Sequence, residues 1–333
     1  WECELSTVDS AFFIAGALTA AYYFTNENKD ESEIRDLADI LYRRMDWQWA
    51  LNGSTTICHG WKPESGFLPY HWDCDYSEAL LLYTLALGSP TFPISRTGYV
   101  EWTSTFKLKK IYDIEHLYSG PLFTHQLSHI WIDFRNINDD FNRKAGIDYF
   151  ENSRRATYVQ REYAIENKNG FAHYGKYCWG FTASDGPGHE ILEIDGKVRV
   201  FYDYIARGAP YGPDDGTVAP WAVVASLPFA PEIVIDTIRH AIERLNLKRH
   251  KWHGFDASFN PTYPEKKRNP HGWVAQWKFG LNEGPIILMI ENYESGLIWE
   301  IMKQCPYIIS GLSNAGFRGG WIDKLKLSLK KVN

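Results

Sequence analysis

The sequence has no uninterrupted apolar run of about 18 residues, so it contains no segment that would cross a membrane as a helix. It shows no secretory signal peptide, and it begins with Trp1 instead of methionine. We therefore expect a processed or truncated product, and the lack of a signal does not determine its location. Positive charge is not in excess: 35 Lys and Arg face 41 Asp and Glu, which gives a net charge of −6. This balance excludes the electrostatic footprint of a nucleic-acid-binding protein.

Several common catalytic and cofactor motifs are also missing. The sequence has no Walker loop, Gly-x-Ser-x-Gly elbow, His-Glu-x-x-His motif or dinucleotide-binding fingerprint. Its five cysteines occur at irregular spacing and do not form a disulfide framework. Cys58-His59 and His71-x-x-Cys74 resemble two halves of a metal site, but their spacing is not that of a zinc module. We interpret them as parts of an aromatic loop.

Aromatic residues are what the sequence has in abundance. They make up 16% of the chain, with 20 Tyr, 18 Phe and 14 Trp. Most of these rings must fill the core. Others could line a cleft, because flat sugar faces stack on Trp and Tyr while carboxylates and amides bind the hydroxyl groups. A carbohydrate-binding cleft is therefore one interpretation of the composition, beside a core rich in large rings.

Hydrophobic periodicity predicts an all-α fold. Helices are expected at about 6–24, 31–50, 76–87, 97–107, 124–139, 147–166, 220–227, 231–245 and 285–302. Ser6-x-x-Asp9 predicts a capped start for the first helix. Leu37, Ile40 and Leu41 share one face of the second helix. Residues 189–204 alternate with period two around Asp195-Gly196, which is typical of a β-hairpin. Because no linker interrupts the chain, we expect one domain over residues 1–333.

Two glutamates fit the chemistry of glycosidic cleavage, which needs two carboxyl groups facing one bond. Glu78 lies between a Trp-containing loop and a Leu-rich run, in the predicted first turn of the third helix. Apolar surroundings would raise its pKa, as a general acid requires, whereas an exposed first-turn acid would only favour the helix dipole. Glu151 is followed at i+3 and i+4 by Arg154 and Arg155, so an intrahelical ion pair is the alternative to catalysis.

Loop residues extend the candidate site. Asp185 and Asp215 lie in Gly-containing loops, where Asp commonly forms turns by bonding to backbone amides. Nearby Trp179 and Arg207 keep a cleft-lining role open. His129 has aromatic neighbours in sequence, which favours a core or substrate-contact residue over a metal ligand.

Segments in order along the chain together resemble a known family. They are Glu4-Leu-Ser-Thr-Val-Asp9, His59-Gly-Trp-Lys-Pro-Glu64, Ser128-His-Ile-Trp-Ile-Asp-Phe-Arg135, Gly146-Ile-Asp-Tyr-Phe-Glu151, Thr182-Ala-Ser-Asp-Gly-Pro-Gly188, Asp214-Asp-Gly-Thr217 and Met289-Ile-Glu-Asn-Tyr293. Through these segments, about residues 1–300 resemble the glucoamylase-like domain family. That family includes bacterial endo-β-1,2-glucanases and is similar to the cyclising domain of cyclic β-1,2-glucan synthases.

The resemblance implies an (α/α)6 toroid of helical hairpins with a cleft at one end of the ring. It implies endo-acting hydrolysis of β-1,2-glucan to sophoro-oligosaccharides, with inversion expected and with no metal or cofactor. It further implies a monomer, periplasmic or secreted, whose partner is β-glucan. Glu78 and Glu151 match the acidic positions of the family's site and are predicted to be catalytic. The predicted substrate-binding residues are Trp61, Trp72, Asp75, His129, Asp133, Arg135, Trp179, Asp185, Arg207 and Asp215.

The resemblance also predicts an incomplete fold. Family members usually carry residues before the segment at 4–9, and about nine helices cannot complete a ring of twelve. We therefore expect Phe12, Phe13, Ile14 and Leu18 to be exposed on one side of the ring. Two alternatives to hydrolysis stay open: a transglycosylase that acts on the same polymer, and a non-catalytic glucan-binding protein.

Overall fold

The computed structural model describes residues 3–248 and 254–325. The chain divides into two compact units, each built from separate stretches of sequence. The first comprises Trp1–Leu108, Ser128–Glu151 and Gly296–Asn333, and the second comprises Lys109–Leu127 and Asn152–Ser295. The single domain expected over residues 1–333 stays a prediction.

Helices dominate the described residues, as the sequence predicts. The α-helices are α1 (Thr7–Tyr23), α2 (Lys29–Arg43), α3 (Leu80–Gly88), α4 (Arg96–Ser104), α5 (Asp140–Ala145), α6 (Tyr149–Glu166), α7 (Pro220–Ala225), α8 (Pro231–Glu243), α9 (Gly280–Glu294), α10 (Leu297–Met302) and α11 (Pro306–Ala315). Across residues 3–248 and 254–325, no helix combines the length and apolar character needed to span a membrane.

Short strands accompany the helices. They are β1 (Leu5–Ser6), β2 (Gly60–Lys62), β3 (Gly66–Phe67), β4 (Leu108–Ile111), β5 (Ile114–Leu117), β6 (Ala183–Ser184), β7 (Glu190–Ile194), β8 (Lys197–Phe201), β9 (Ile205–Ala206), β10 (Phe259–Asn260) and β11 (Trp273–Val274). Strands β1, β2 and β3 form one antiparallel sheet in that order. The others pair two by two, as β4-β5, β6-β9, β7-β8 and β10-β11.

Helix α3 lies in the core of the first unit. Every residue from Leu80 to Gly88 is buried, and the helix is apolar on all sides, which is typical of a helix enclosed by protein. It packs against α11. A Cβ atom at Gly88 would overlap the Tyr307 carbonyl oxygen, and one at Gly311 would overlap that of Thr84. The two helices therefore touch backbone to backbone, which only glycine permits at these positions.

Helix α1 begins where the capping pattern predicts. The Ser6 hydroxyl accepts a hydrogen bond from the Asp9 amide at 3.2 Å. The helix packs on α2, α3 and α10. Ile14 and Leu18 are each 1% exposed, so the prediction that they are open to solvent is wrong, whereas Phe13 is 63% exposed as expected.

Helix α2 is shorter than predicted and presents its apolar face outward. It ends before the predicted boundary near residue 50. Leu37, Ile40 and Leu41 are exposed, while the buried residues are Ala38 and Tyr42. The periodic apolar pattern of this helix therefore marks its outer side and not its contact with the core.

The prediction of a helix over residues 124–139 is wrong. Two 3-10 turns, Leu122–His125 and Leu127–Ile130, occur in its place. Short polar side chains in this stretch bond to other parts of the chain, as the Ser128 hydroxyl does to the Glu78 carbonyl oxygen at 2.6 Å. Bonds of this kind compete with the regular ladder of a helix.

The helix predicted over residues 285–302 is in fact two helices, α9 and α10. Gly296 separates them with a left-handed φ of 72°. Glycine reaches this conformation without steric cost, and it commonly ends a helix.

In the second unit, α7 is buried along its whole length and packs against α8 and α9. The predicted hairpin is confirmed as β7 and β8, with Leu192 opposite Arg199. Asp195 and Gly196 form the turn with φ values of 53° and 72°, the left-handed values that an Asp-Gly hairpin turn requires.

Candidate functional site

Glu78 is held in place through its backbone at the start of α3. It lies just before Leu80, where the helix begins, and not in the first helical turn as predicted. The Ser128 hydroxyl donates to the Glu78 carbonyl oxygen at 2.6 Å and accepts from the Leu81 amide at 3.0 Å. These two bonds tie the segment that precedes α3 to the turn at Leu127–Ile130.

The Glu78 carboxyl has the electrostatic properties of a general acid. The side chain is half-buried, and the loss of water around the carboxyl raises its pKa to about 7. The negative charge of Asp9 also raises this pKa, while a hydrogen bond from the backbone amide of Glu78 opposes the shift. A large protonated fraction at neutral pH is what proton donation to a leaving group requires.

The raised pKa of Glu78 is expected to make the stability of the folded protein depend on pH. The Glu78 pKa rises from an ordinary 4.5 to about 7 on folding, so between these pH values the folded state binds more protons than the unfolded state. The free energy of unfolding contributed by Glu78 should therefore fall as pH rises through this window. Chemical denaturation of Glu78→Gln and of the unchanged protein measures the effect, because the variant should gain relative stability from pH 4.5 to pH 7. A difference that does not vary with pH would contradict the shift.

Aromatic side chains lie at the start of α1, in the same unit as Glu78. The Trp72 indole nitrogen donates to the Thr7 hydroxyl at 3.1 Å. Phe12, predicted to be exposed, is half-buried, and its ring stacks on that of Trp131 with centres 5.8 Å apart. Thr7 and Phe12 flank Asp9, so these rings gather at the same helix end as the carboxylate that raises the Glu78 pKa.

Trp61 and Asp75 keep surface that a ligand can reach. Trp61 is half-buried in β2, with its ring centre 6.1 Å from that of Trp49. Asp75 has an exposed side chain on a firmly held backbone. Its amide donates to the Thr105 hydroxyl at 3.0 Å, and its carbonyl accepts from the Trp102 indole at 2.7 Å. Both residues have the accessibility that the predicted role in substrate binding needs.

Glu151 lies in the first turn of α6, in the same unit as Glu78. Its amide donates to the Asp148 carboxylate at 2.7 Å, a side-chain bond of the kind that caps helices. The preceding Phe150 packs edge-on against Trp299 with ring centres 6.3 Å apart. The Glu151 side chain is half-buried. Both predicted catalytic glutamates therefore occur at helix starts within one unit.

Arg154 and Arg155 have partners other than Glu151. Arg154 lies 3.5 Å from a carboxylate oxygen of Glu232, and Arg155 donates to the Glu115 carbonyl at 2.8 Å. The intrahelical ion pair with Glu151 stays a prediction.

The segment at Ser128–Arg135 is tied together by charged groups. Arg135 binds both carboxylate oxygens of Asp133, at 2.7 and 2.8 Å, and Lys303 adds a contact at 2.9 Å. Burial alone would raise the pKa of Asp133, but these two cations hold it below its usual value. Asp133 and His129 are both buried, so they support this segment from within. Their contact with substrate stays a prediction, and Arg135 keeps exposed surface.

Arg207 and Asp215 form an ion pair in the second unit, with both side chains fully buried. The Nε and Nη2 atoms of Arg207 each lie 2.7 Å from an Asp215 oxygen. Arg207 also donates to the Ser184 carbonyl at 2.7 Å, and Asp215 accepts from the amides of Tyr202 and Thr217 at 3.0 Å. These bonds hold loops of the second unit together, and the substrate contact of this pair stays a prediction.

Trp179 and Asp185 have different surroundings. Trp179 is buried in the core, where its indole nitrogen donates to the Thr237 hydroxyl at 3.0 Å, and its predicted role in substrate binding stays a prediction. Asp185 is half-buried. Burial and the negative charge of Asp203 raise the pKa of its carboxyl, against the opposing charge of Arg207. Asp185 is thus an accessible carboxyl with a perturbed pKa.

Sequence reasoning missed Asp9 and Trp131 as members of the candidate site. The spacing around Asp9 indicates only a helix cap, because nothing local reveals that its charge acts on Glu78. Trp131 stands inside the motif at Ser128–Arg135, and this position was the one signal that could have identified it. Among the residues that the structure describes, no group of three His, Cys, Asp or Glu side chains is placed to hold a metal ion.

Comparison with known proteins identifies the family. The family model described as "Glycoamylase: Putative glucoamylase" matches residues 69–306, and the chain belongs to this glucoamylase-like family. An exo β-1,2-glucooligosaccharide sophorohydrolase (non-reducing end) from Parabacteroides distasonis is 27% identical over 332 residues. The match covers 92% of this chain and 42% of that protein, so the chain spans less than half the length of this curated relative.

Solved structures give the same assignment. A crystal structure from Bacteroides uniformis, described as a putative glucoamylase, has a TM-score of 0.80 and 31% identity. That match covers 95% of this chain and 72% of the solved one. An endo-β-1,2-glucanase from Chitinophaga pinensis, in complex with sophorotriose and glucose, has a TM-score of 0.77 and 27% identity, again over 95% and 72% of the two chains. The sophorohydrolase from P. distasonis and the endo-β-1,2-glucanase from C. pinensis are named as glycoside hydrolases.

Proposed function

We propose that this protein is a glycoside hydrolase that cleaves β-1,2-glucan. The observation that carries the proposal is the Glu78 carboxyl, whose pKa burial raises to about 7 in a unit that also contains Glu151. The substrate class is supported by the names of the relatives from P. distasonis and C. pinensis, both of which specify β-1,2-linked glucose.

In the proposed mechanism, Glu78 donates its proton to the glycosidic oxygen while the bond from that oxygen to the anomeric carbon breaks. Glu151 accepts a proton from a water molecule, whose oxygen attacks the anomeric carbon from the opposite face. The oxygen of this water becomes the new hydroxyl of one product. The proton that the water loses replaces the one that Glu78 gives to the other product. Attack from the opposite face inverts the anomeric centre.

Substrate binding is assigned to residues that keep accessible surface. Trp61 and Trp72 supply rings for stacking on sugar faces, and Asp75, Arg135 and Asp185 supply groups that bond to hydroxyls. The helix-rich units and the likeness to glucoamylase-like structures support an (α/α)6 toroid. The monomeric state and a periplasmic or secreted location stay predictions from the family resemblance.

Linear β-1,2-glucan is expected to be cut internally into sophoro-oligosaccharides, while starch is not cut. Reducing-end release on both polymers tests the substrate, and the size distribution of early products tests the mode of attack. Internal cleavage gives a spread of lengths at once. Steady release of sophorose alone would indicate the exo action that the P. distasonis relative's name specifies. Release of glucose from starch as the main product would contradict the proposal.

The same assay distinguishes the two alternatives. Products longer than the starting oligosaccharide, formed when sophorose is added as an acceptor, would assign transglycosylation. Binding of β-1,2-glucan without any new reducing ends would assign a non-catalytic glucan-binding protein.

A further inference from the structure

A basic cleft occurs in the second unit, lined by residues that the proposed mechanism does not use. It has a volume of about 580 Å³ and lies between strand β8 and the loop at residues 168–171. Three cations line it, Lys168, Lys197 and Arg199, together with one carboxylate, that of Asp214. A cleft of this size accommodates a small ligand.

The register of β8 directs two of these cations to the same side. Alternate residues of a strand share a face. Val198 and Val200 are 74% and 45% exposed, whereas Arg199 between them is 9% exposed. Lys197 shares the face of Arg199, and its ammonium nitrogen lies 3.2 Å from the position that a Cβ atom at Gly170 would occupy. Both side chains therefore point towards the loop at residues 168–171.

Arg199 is held rigidly and lacks a counter-ion. Its Nη2 atom donates to the carbonyls of Gly170 at 2.8 Å and Asn169 at 3.3 Å, and its guanidinium carbon lies 4.7 Å from the centre of the Phe171 ring. Its buried Nε atom has no hydrogen-bond partner among the described residues. Within the same part of the chain, no carboxylate forms an ion pair with Arg199. A buried cation without a counter-ion is costly unless a ligand supplies the negative charge.

Asp214 supplies a carboxylate to the lining of the cleft. Its two oxygens accept hydrogen bonds from the hydroxyls of Tyr163 and Tyr174, each at 2.7 Å. Burial raises the pKa of its carboxyl, while the hydrogen bonds from these two tyrosines and from the Gly216 amide act in the opposite direction. Lys168 pairs with Glu166 at 2.9 Å on the surface, whereas Lys197 has no ion-pair partner in residues 3–248 and 254–325. The three cations therefore face two carboxylates, those of Asp214 and Glu166, and positive charge is in excess at the cleft.

We propose that this cleft binds a small oxyanion, a phosphate or carboxylate group, through Lys168, Lys197 and Arg199. The planar guanidinium and two mobile ammonium groups are the donors that such anions select. A neutral glucan fits the cleft less well, because the guanidinium of Arg199 already lies over the ring of Phe171. The proposal does not depend on the hydrolysis of β-1,2-glucan.

Calorimetric titration of the full chain with inorganic phosphate, and separately with acetate, tests the site. We expect saturable phosphate binding with a Kd on the order of 1 mM at low ionic strength, weakened by added NaCl. Lys168→Gln and Lys197→Gln should each raise the Kd about fivefold, because each removes a charged donor. Both residues lie at the surface, so the variants are expected to fold. Lys107→Gln, at an exposed lysine in the first unit, is the matched control and should leave the Kd unchanged.

Comparison of phosphate with acetate identifies which anionic group of a ligand the cleft binds. Binding of phosphate alone would assign a phosphate-bearing ligand, and equal binding of acetate would assign a carboxylate; either result supports the site. Three results would overturn it: no saturable binding of either anion, an unchanged Kd in both lysine variants, or an equal loss in Lys107→Gln.

Discussion

Glu78→Gln is expected to lower the turnover number on β-1,2-glucan by a factor on the order of 10² or more. Glutamine preserves the shape of the side chain but has no proton to give to the glycosidic oxygen. Because the pKa of Glu78 is about 7, the turnover of the unchanged protein should also decline as pH rises above about 7, where the acid loses its proton. Reducing-end assays across pH on both proteins measure the two effects together.

The matched control for this experiment is Glu33→Gln. Glu33 lies on α2 in the same unit and is exposed, so its replacement should leave turnover unchanged. Normal turnover in Glu78→Gln would show that the raised pKa of this carboxyl has no part in catalysis.

Glu151→Gln should reduce turnover to a similar extent, because the attacking water then lacks a base. Thermal unfolding should change little, since a surface ion pair to Arg154 or Arg155 would contribute only about 1 kcal/mol or less. Full activity in Glu151→Gln combined with loss in Asp185→Asn would move the second carboxylate to Asp185, whose pKa is also raised by burial.

Asp215→Asn is expected to cause the largest loss of stability, about 3–5 kcal/mol in the free energy of unfolding. The replacement leaves the guanidinium of Arg207 fully buried without its counter-ion. It also weakens the bonds that Asp215 accepts from the amides of Tyr202 and Thr217. Chemical denaturation of the variant and the unchanged protein measures the loss.

A surface pair in the same unit is the control for this loss. Arg239 and Asp236 are 3.1 Å apart with side chains 61% and 48% exposed, so Asp236→Asn should cost about 1 kcal/mol or less. If Asp215→Asn kept full stability but lost turnover, the sequence-based assignment of Asp215 to substrate binding would be right and the structural role wrong.

Sequence patterns correctly predicted the parts of the fold that depend on bonds between residues close together in the chain. The cap at Ser6 and the Asp195-Gly196 turn depend on bonds within a few residues, and both occur as predicted. The apolar flank of Glu78 likewise anticipated a carboxyl with a raised pKa. Its position relative to the helix was misplaced, because the Ser128 hydroxyl that bonds the segment comes from a distant part of the chain.

Two adjacent residues show why the rest of the site could not be predicted from the sequence. Asp214 and Asp215 share one motif, yet burial raises the pKa of Asp214, whereas Arg207 holds that of Asp215 below its usual value against the effect of burial. The sequence also left a cleft-lining role open for Trp179, whose indole nitrogen donates to Thr237 in the core. Which neighbour a loop residue meets is decided by long-range packing, and spacing along the chain does not encode it.

Glu78, the proposed acid, lies just before α3, and α3 packs backbone to backbone against α11. This contact determines which part of the chain must be present to hold Glu78. The family match stops at residue 306, the residue at which α11 begins. A protein cut at that boundary would contain every residue assigned to catalysis, yet the wholly apolar α3 would lose the helix that seats it. A protein that keeps α3 seated on α11 therefore has to extend past the end of the family match and include Pro306–Ala315.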